Sequence, residues 1–321
     1  MDREENMKMS RILVTGGTVF VSKYVAEYYL NKGNEVYVLN RNNHVQPEGA
    51  ILIEGDRKNL GRKLKGYEFD VVLDITAYTG EDINCLLDDI GSFTEYIMIS
   101  SSAVYPETLT QPFSEEQPVG ANKYWGAYGM NKIEAEEALL ARVPEAYILR
   151  PPYLYGQMDN VYREAFVFEC AMQKRKFYLT KEGQMKLQFF HVEDLCRFID
   201  AILEKKPEQH IFNVGNENAV SIKEWVTLCY EVVGTDVDFV SVSGEIEQRN
   251  YFSFYNYEYF LDVTKQKELM PETKSLLEGL QEAYAWYQEN PELSVQDTIS
   301  KMIEKSGTLF EKKIVIVRVG V

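Results

Sequence analysis

Residues 11–32, RILVTGGTVFVSKYVAEYYLNK, constrain the possible folds of this chain more than any other stretch. A β-branched run over residues 12–15 enters a turn at Gly16 and Gly17, and apolar residues then recur at helical spacing. Strand, tight turn and helix in this order form the opening unit of a dinucleotide-binding fold. Such a turn lets the N–H groups and the positive dipole end of the helix face a pyrophosphate.

Further apolar runs follow this opening unit and alternate with helical segments. Each run is nearly continuous, as expected for strands that are covered by helices on both faces. The alternation predicts an α/β fold built on a doubly wound parallel sheet of the Rossmann type. The predicted strands lie at residues 35–39, 51–54, 69–75, 96–100, 146–149 and 211–214, and the main later helices at residues 127–142, 162–173, 192–204 and 221–233.

The glycine turn, TGGTVFVS at residues 15–22, resembles the TGGTGFIG opening of the extended short-chain dehydrogenase/reductase family, which contains NAD(P)-dependent sugar-nucleotide epimerases and dehydratases. It departs from that pattern because Val19 and Ser22 replace two of its three glycines, so a structural turn without a cofactor is the alternative. Other segments resemble the family in its order between about residues 11 and 290: GDRKNL (55–60), LRPPYLYG (149–156), FHVEDL (190–195) and FNVGNENAVSIKEW (212–225).

The resemblance implies a smaller, interleaved C-terminal substrate domain. Residues 1–155 would form the dinucleotide-binding domain, with return segments near 188–220. Residues 156–187 and 221–300 would form the substrate domain. Residues 301–321, which end in the β-like run KIVIVRVGV, have no predicted role.

The predicted chemistry depends on SSSAVY (100–105), at a strand end, and on YGMNK (128–132) in the next helix. Tyr128 and Lys132 share one helical face, and a nearby ammonium favours the tyrosinate. Tyr128 is therefore a candidate general acid/base for the proton of a carbinol. By the resemblance the active serine is Ser101, with Ser102 as the fallback. Tyr28 and Lys32 match the same spacing, but we interpret them as packing residues of the first helix.

The resemblance also implies a set of cofactor contacts. Asp56 would face the adenine, with a helix N-cap as its alternative role. Residues 75–77 would pass beneath the cofactor. The complete predicted set is Thr15, Gly16, Gly17, Val19, Phe20, Val21, Asn40, Arg41, Asp56, Ile75, Thr76, Ala77, Tyr128, Lys132, Pro151 and Tyr153.

The end of the second predicted strand bears on the choice between NAD and NADP. NAD sites carry an acidic residue there for the ribose hydroxyls, whereas an arginine accommodates the extra phosphate of NADP. This chain has Asn40 and Arg41, which favours NADP over NAD. Arg41 as an ordinary loop residue is the alternative.

The substrate is less constrained by the sequence. At the positions where sugar-nucleotide enzymes of the family bind the nucleotide diphosphate, this chain has Tyr153, Leu187 and Gln188. These residues cannot make the charge-assisted hydrogen bonds that a diphosphate needs. Lys186 or Arg249 could substitute, so a sugar or nucleotide sugar stays a candidate. Ser102 and Ala103 stand where dehydratases carry an acid pair, which disfavours dehydration.

An alternative function comes from the Phe-rich segment within residues 251–260, YFSFYNYEYF. Together with the altered glycine motif, it resembles the chloroplast stem-loop-binding proteins, RNA-binding relatives of the same fold. Its rings could form a base-stacking platform. A packed strand is the interpretation that we prefer for it.

Charge and composition limit the possible partners. The formal net charge of −16 repels polyanions and argues against nucleic acid or an anionic membrane. The four cysteines form no CxxC pair, so we expect no metal site and a cytoplasmic location with reduced thiols. No apolar stretch approaches the ~20 residues of a membrane helix. A small-molecule substrate and a homodimer are the partners that the resemblance suggests.

Overall fold

The computed structural model describes residues 9–242, 248 and 252–290. Its backbone contacts divide the chain into two compact units. The first unit contains the described residues up to Leu154 together with Val192–Gly215 and Leu261–Thr273. The second unit contains Tyr155–His191, the described part of Asn216–Phe260, and the described residues from Lys274 onward.

The strands and helices follow one another along the chain as expected from the apolar pattern. The strands are β1 (Arg11–Thr15), β2 (Glu35–Asn40), β3 (Ile51–Glu54), β4 (Glu68–Asp74), β5 (Ser92–Ile99), β6 (Tyr147–Arg150), β7 (Tyr153–Tyr155), β8 (Phe177–Thr180), β9 (Lys186–Leu187), β10 (Phe189–His191), β11 (Ile211–Asn213), β12 (Val220–Ser221) and β13 (Phe239–Val242). The helices are α1 (Phe20–Asn31), α2 (Gly80–Asp89), α3 (Ala127–Arg142), α4 (Glu164–Met172), α5 (Val192–Lys205), α6 (Ile222–Val233), α7 (Thr264–Leu269) and α8 (Leu276–Glu289), with 3₁₀ turns at Ser102–Val104 and Lys181–Gly183.

A seven-stranded sheet forms the centre of the first unit, in the order β11-β6-β5-β4-β1-β2-β3. Every neighbouring pair is parallel. The strand order reverses between β1 and β4, and ligands of such sheets bind at the carboxyl ends of the strands near this switch point. The predicted doubly wound α/β fold is confirmed.

Helices cover both faces of the sheet because its strands are apolar on both sides. α1 packs with α5, and α2 packs with α3. Between the α2–α3 layer and the sheet lies a core that includes Leu13, Val72, Met98 and Ile148, all fully buried. Burial of this apolar surface holds the strand ends in fixed positions.

The second unit is built around aromatic packing. α4, α6 and α8 pack against one another, and β8 pairs in parallel with β13. Trp225 lies at the centre, stacked on Phe189 with ring centroids 5.3 Å apart and edge-on to Phe254 at 5.3 Å. Phe252 packs beside them at 6.1 Å from Trp225.

The burial of Phe252 and Phe254 corrects one reading of the Phe-rich segment. Both rings are at most 1% exposed, so neither is available to stack on a nucleic-acid base. They pack inside the second unit, as the preferred interpretation expects, but residues 252–260 form no strand and contribute only an isolated bridge from Tyr259 to Leu187. Residue 251, Arg249 and the C-terminal tail at residues 301–321 lie outside the described residues.

Two further expectations concern thiols and membranes. All four cysteines are free, and Cys170, Cys196 and Cys229 are buried. Among the helices that the structure describes, none has both the length and the apolar character needed to cross a bilayer.

Candidate active site

The turn between β1 and α1 can be made only with glycine at its first position. Gly16 has φ +89°, and a Cβ there would lie 2.9 Å from both Ser22 Oγ and Thr76 Cγ2. Backbone at this φ is rarely adopted by residues with a side chain. The turn therefore brings β1, α1 and the end of β4 into close contact.

The two residues that replace the family's glycines take different positions. Ser22 is buried, and its hydroxyl donates to the Val19 carbonyl at 2.9 Å, which closes the first turn of α1. Val19 precedes α1 in extended conformation, and its residue surface is 39% exposed. No side chain caps α1 at Val19. The first N–H groups of this helix are the type that binds an anion.

Thr15 joins the ends of β1 and β4. Its hydroxyl oxygen accepts from the N–H of Ile75 at 2.9 Å and of Thr76 at 3.0 Å, and its O–H donates to Asp74 Oδ1 at 2.7 Å. The predicted residues Thr15, Ile75 and Thr76 are thus brought together by their own hydrogen bonds. They form the floor at the switch point of the sheet.

A cavity of about 480 Å³ opens above this floor, within the first unit. Its size is within the range of small-molecule and cofactor sites. The lining residues are Gly16, Thr18, Val19, Ser22, Leu39, Asn40, Arg41, Asn43, His44, Gly55, Asp56, Arg57, Lys58, Thr76, Tyr78 and Asp82.

The cavity collects part of the predicted cofactor set. Gly16, Val19, Asn40, Arg41, Asp56 and Thr76 line it. Outside the lining lie Thr15, Gly17, Phe20, Val21, Ile75, Ala77, Tyr128, Lys132, Pro151 and Tyr153.

Asn40 and Arg41 behave differently at the cavity edge. The Asn40 amide donates to the Gly16 carbonyl at 2.7 Å and to Gln46 at 2.9 Å, so it connects the glycine turn to the loop after β2. Arg41 is exposed, and within the described part of the chain its side chain makes no hydrogen bond or ion pair. Arg41 is therefore the cation of this edge that is available to a ligand.

Arg57 and Asp74 form a buried ion pair beside the cavity. Arg57 Nη2 lies 2.7 Å from Asp74 Oδ2, Nη1 lies 3.0 Å from Oδ1, and Asp74 is fully buried. Burial by itself raises the pKa of Asp74, but the guanidinium and the hydrogen bonds that Asp74 accepts hold its pKa below the usual value. Tyr96 also donates to Asp74, at 2.5 Å.

Lys132 of α3 reaches back beneath the strand ends. It is 2% exposed, and its ammonium donates to the carbonyls of Ala77 at 2.7 Å and Ile99 at 2.9 Å. The Tyr78 ring, which lines the cavity, lies with its centroid 4.9 Å from Lys132 Nζ. Burial lowers the pKa of Lys132 to about 8, although the negative charge of Asp74 opposes the shift.

A close contact joins the helix that carries Tyr128 to the turn that follows Ser101. Tyr128 is 41% exposed in the first turn of α3. A Cβ on the next residue, Gly129, would lie 2.4 Å from the Ala103 carbonyl, so α3 packs directly on the turn that follows Ser101. Ser101 Oγ accepts from the N–H of Ala103 at 3.1 Å, which leaves its O–H as a donor. The turn and the helix therefore hold each other in place.

A buried carboxylate fixes α3 one turn beyond Lys132. Glu136 accepts from Arg150 Nε at 3.0 Å and Nη2 at 2.5 Å, and also from the Ser100 hydroxyl. Arg150 Nη1 in turn donates to Tyr105 Oη at 2.9 Å. The network joins α3 to the ends of β5 and β6, which carry the serine turn and the Pro151 loop.

Pro151 and Tyr153 follow β6 and lie against the segments around Ser101 and the start of α3. The Pro151 carbonyl accepts from the Ser102 N–H at 3.0 Å. Tyr153 is buried and packs edge-on to Trp125, with ring centroids 6.1 Å apart, just before α3 begins. Both predicted residues therefore support the Ser101–Tyr128 region of the first unit rather than the cavity lining.

Several lining residues are absent from the predicted set of cofactor contacts. Arg57 and Lys58 belong to the GDRKNL segment, and Tyr78 directly follows the predicted residues 75–77. Their position beside these motifs is the sequence signal that could have identified them. His44 and Asn43 lie in the loop after β2, where no motif marks them.

Leu187 and Gln188, two of the residues at the family's diphosphate-binding positions, are buried in the second unit. Leu187 is fully buried. Gln188 is 1% exposed and donates to the Asn216 carbonyl at 2.6 Å. Lys186 is exposed and is the cation of this segment that is open to solvent.

Comparison with known proteins agrees with this geometry. Residues 86–215 match the model of the NAD dependent epimerase/dehydratase family. The match covers less than half of the chain, and over these residues the chain is similar to this family. The resemblance to extended short-chain dehydrogenase/reductases is thereby confirmed. The matched segment carries Ser101, Tyr128, Lys132 and Glu136.

Three known proteins illustrate what this chain is similar to. A chloroplast stem-loop binding protein of 41 kDa from Arabidopsis thaliana is 25% identical over 300 residues, covering 85% of this chain and 78% of its own. The structure of UDP-glucose 4-epimerase with UDP-glucose from Thermotoga maritima has a TM-score of 0.71 at 20% identity, covering 88% of this chain and all of its own. The Bordetella bronchiseptica enzyme WbmG in complex with NAD has a TM-score of 0.73 at 17% identity, covering 89% and 96%.

Proposed function

We propose that this chain is an NAD(P)-dependent oxidoreductase or epimerase that acts on a hydroxyl or carbonyl carbon. The observation that carries the proposal is the buried Lys132 ammonium beside the cavity of the first unit. It lies one helical turn from Tyr128, and the close contact at Gly129 holds that helix against the Ser101 turn. A merely structural lysine gains little from burial at this cost in desolvation.

The cavity fits a dinucleotide in its chemistry. The Gly16 turn leaves no room for a Cβ, and the uncapped start of α1 offers N–H groups to a pyrophosphate. A bound dinucleotide would supply the nicotinamide that takes up or returns a hydride. Gly16, Val19 and Thr76 would hold it at the switch point.

The protein's own residues would move the proton. Tyr128 would act as general acid/base on the carbinol or carbonyl oxygen, because its phenol is accessible and the ammonium of Lys132 lies one turn away on the same helix. Two N–H groups of Lys132 bind carbonyls, which leaves its third for a ligand hydroxyl or the phenol. The free O–H of Ser101 would donate to the same substrate oxygen.

The cofactor preference rests on Arg41. This exposed guanidinium lines the cavity and is not engaged with another described residue. An unpaired cation at the end of β2 favours the 2′-phosphate of NADP. The NAD in the WbmG structure supports the dinucleotide class but not this preference.

The substrate class is a carbonyl or alcohol, with a sugar or nucleotide sugar as one candidate. The structural neighbour solved with UDP-glucose supports this candidate. Burial of Leu187 and Gln188 does not support a diphosphate grip at that position of the second unit. Ser102 is buried and Ala103 is apolar, so dehydration is disfavoured.

The first experiment is native mass spectrometry of gently purified protein, which would reveal a co-purifying NAD or NADP. Titration with both cofactors should show tighter binding of NADP, and Arg41→Ala should remove that difference. Turnover on a panel of nucleotide sugars and simple carbonyls should then fall about 100-fold or more in Tyr128→Phe. Failure to bind either dinucleotide would overturn the proposal.

A second candidate function is RNA binding, favoured by the 25% identity to the chloroplast stem-loop binding protein over most of the chain. The net charge of −16 and the buried Phe252 and Phe254 oppose it. Filter binding with structured RNA tests it directly. Salt-sensitive binding at sub-micromolar affinity would favour this candidate over the enzyme.

A further inference from the structure

Arg57 differs from the other basic residues that line the cavity. Arg41, His44 and Lys58 are exposed, and Lys58 pairs with Glu81 at the surface. The Arg57 side chain is only 12% exposed. Of these four basic lining residues, Arg57 is therefore the one whose side chain is fixed inside the cavity wall.

The guanidinium of Arg57 is held by nearly all of its donors. Nη1 and Nη2 bind the two oxygens of Asp74, Nη1 also lies 3.4 Å from Thr76 Oγ1, and Nε donates to the Asp82 carbonyl at 3.2 Å. A guanidinium bound on both edges keeps its flat faces but has few N–H groups left for a phosphate. It is preorganised for stacking.

The charge of Arg57 is also compensated. Asp74 is fully buried and lies within 3.0 Å of both terminal nitrogens, so the pair is close to neutral as seen from the cavity. A phosphate would gain little from it, whereas an aromatic ring gains from stacking on a guanidinium plane. Arg41, without a partner in the described part of the chain, is the stronger anion site.

The location of Arg57 fits the base of the dinucleotide. Its backbone follows β3, on the same side of the switch point as β2 and Asn40, and its guanidinium reaches the end of β4 at Asp74, whereas Lys132 reaches the end of β5. In a doubly wound fold the two mononucleotide halves lie on opposite sides of this point. Arg57 therefore belongs to the half that binds adenosine.

We propose that Arg57 is the platform on which the adenine ring stacks, and that it determines affinity for the base and not for the phosphates. This inference rests on the proposed function, because it assumes a dinucleotide in the cavity. Asp74 is a positioning residue in this arrangement, since it fixes the guanidinium plane without facing the base.

The test compares AMP with ribose 5-phosphate, which lacks the base, by calorimetric titration of the full chain. The measured quantity is the ratio of the two affinities. Arg57→Lys keeps a cation but removes the flat face, and the ratio should fall about tenfold, the size of one lost base–side-chain stack. Lys58→Ala, which removes an exposed cation from the same cavity, should leave the ratio unchanged.

A second variant guards against loss of folding. Removing Arg57 alone would strand the buried Asp74 charge, so Arg57→Met is combined with Asp74→Asn, which keeps the shape and neutralises the site. The double variant should unfold cooperatively in a thermal scan and show the same fall in the ratio. A ratio equal to that of the wild type in both variants would overturn the inference.

The outcomes separate this inference from the proposed function. If the wild type binds NAD(P) and the ratio does not depend on Arg57, the inference fails and the proposed function stands. If the wild type binds AMP in an Arg57-dependent way but no dinucleotide, the platform stands and the proposed function fails. If Arg57→Lys weakens AMP and ribose 5-phosphate equally, Arg57 is a phosphate anchor and the platform is excluded.

Discussion

Two helices of the first unit carry the same Tyr-x-x-x-Lys spacing in opposite environments. At the C-terminal end of α1, Lys32 is exposed and its ammonium pairs with Asp200 at 2.8 Å, while Tyr28 donates to the same carboxylate at 2.6 Å. In α3, Lys132 is buried against two backbone carbonyls, while Tyr128 is 41% exposed. The Tyr28 phenol is hydrogen-bonded to a carboxylate, whereas the Tyr128 side chain is exposed to solvent.

The pKa shifts also differ between the two helices. Burial and the hydrogen bond to Asp200 raise the pKa of Tyr28, which makes the phenol a weaker acid and keeps it protonated. In α3 it is the lysine that is perturbed, because burial lowers its pKa to about 8. Spacing alone therefore does not mark a reactive pair. What distinguishes α3 is a desolvated ammonium one helical turn from a solvent-exposed tyrosine.

The largest effect is expected from the two lysines. Lys132→Met should lower kcat/KM on the substrate found in the panel by about 1000-fold, because the ammonium that supports the tyrosinate is lost. Lys32→Met is the matched control and should stay within about twofold, since this lysine serves surface pairing. An equal fall in kcat/KM in both variants would show that Lys132 has no special role in catalysis.

The close contact at Gly129 should have the next largest effect. In Gly129→Ala the new methyl group meets the Ala103 carbonyl, so α3 must shift and Tyr128 moves relative to Ser101. We expect a loss of about 10- to 100-fold in kcat with little change in cofactor affinity. Gly66→Ala, at a position with open space around it, is the control and should be silent. Steady-state kinetics and cofactor titration measure both quantities.

A pH dependence should follow from Lys132 alone. Burial lowers its pKa in the folded chain to about 8, from the ordinary lysine value of 10.5, so the ammonium is lost as pH rises through about 8. Activity should fall about tenfold per pH unit above that point and stay insensitive to Lys32→Met. The absence of an alkaline limb would contradict the assignment.

The pH dependence of the free energy of unfolding is an independent measure of the Lys132 pKa. Between pH 8 and 10.5 the unfolded chain binds a proton at Lys132 that the folded chain does not. The free energy of unfolding of the wild type should therefore rise with pH in this window relative to Lys132→Met. Urea unfolding at several pH values measures the difference. A parallel course of the two curves would show that Lys132 has an ordinary pKa.

The smallest effect on activity is expected at Asp200. Asp200→Asn weakens hydrogen bonds from Tyr28, Tyr29 and Lys32, and should cost about 1–2 kcal/mol of stability with activity within about twofold. Thermal unfolding and turnover together check it. A large loss of turnover at unchanged stability would point to an unforeseen role for this cluster.

The fold was predictable to the extent that its signals are local. The helix at Ala127–Arg142 and the strand at Ile51–Glu54 agree with the predicted bounds, because apolar periodicity and flanking polar residues mark them. Helix α8 and the parallel pair of β8 and β13 were not anticipated. Pairing between strands about sixty residues apart leaves no signature in either strand by itself.

The site was predictable in its motifs but not in its contacts. The glycine turn could be located because its chemistry lies in adjacent residues. The inward position of Arg57 depends on Asp74, seventeen positions later, and the tight contact at Gly129 depends on the Ala103 carbonyl. Contacts of this kind form only when the strands are assembled, so single-sequence patterns do not contain them.

The Glu136 carboxylate, which binds both Arg150 and Ser100, restricts which substitutions this chain can accept during evolution. Three segments depend on it, so losing Arg150 alone would leave a negative charge stranded in an apolar interior. Replacement of Glu136 and Arg150 by apolar residues together avoids that charge, so the two positions should tolerate joint exchange far better than single exchange. The helix that carries Tyr128 is thus tied to a pair of positions that must vary in concert.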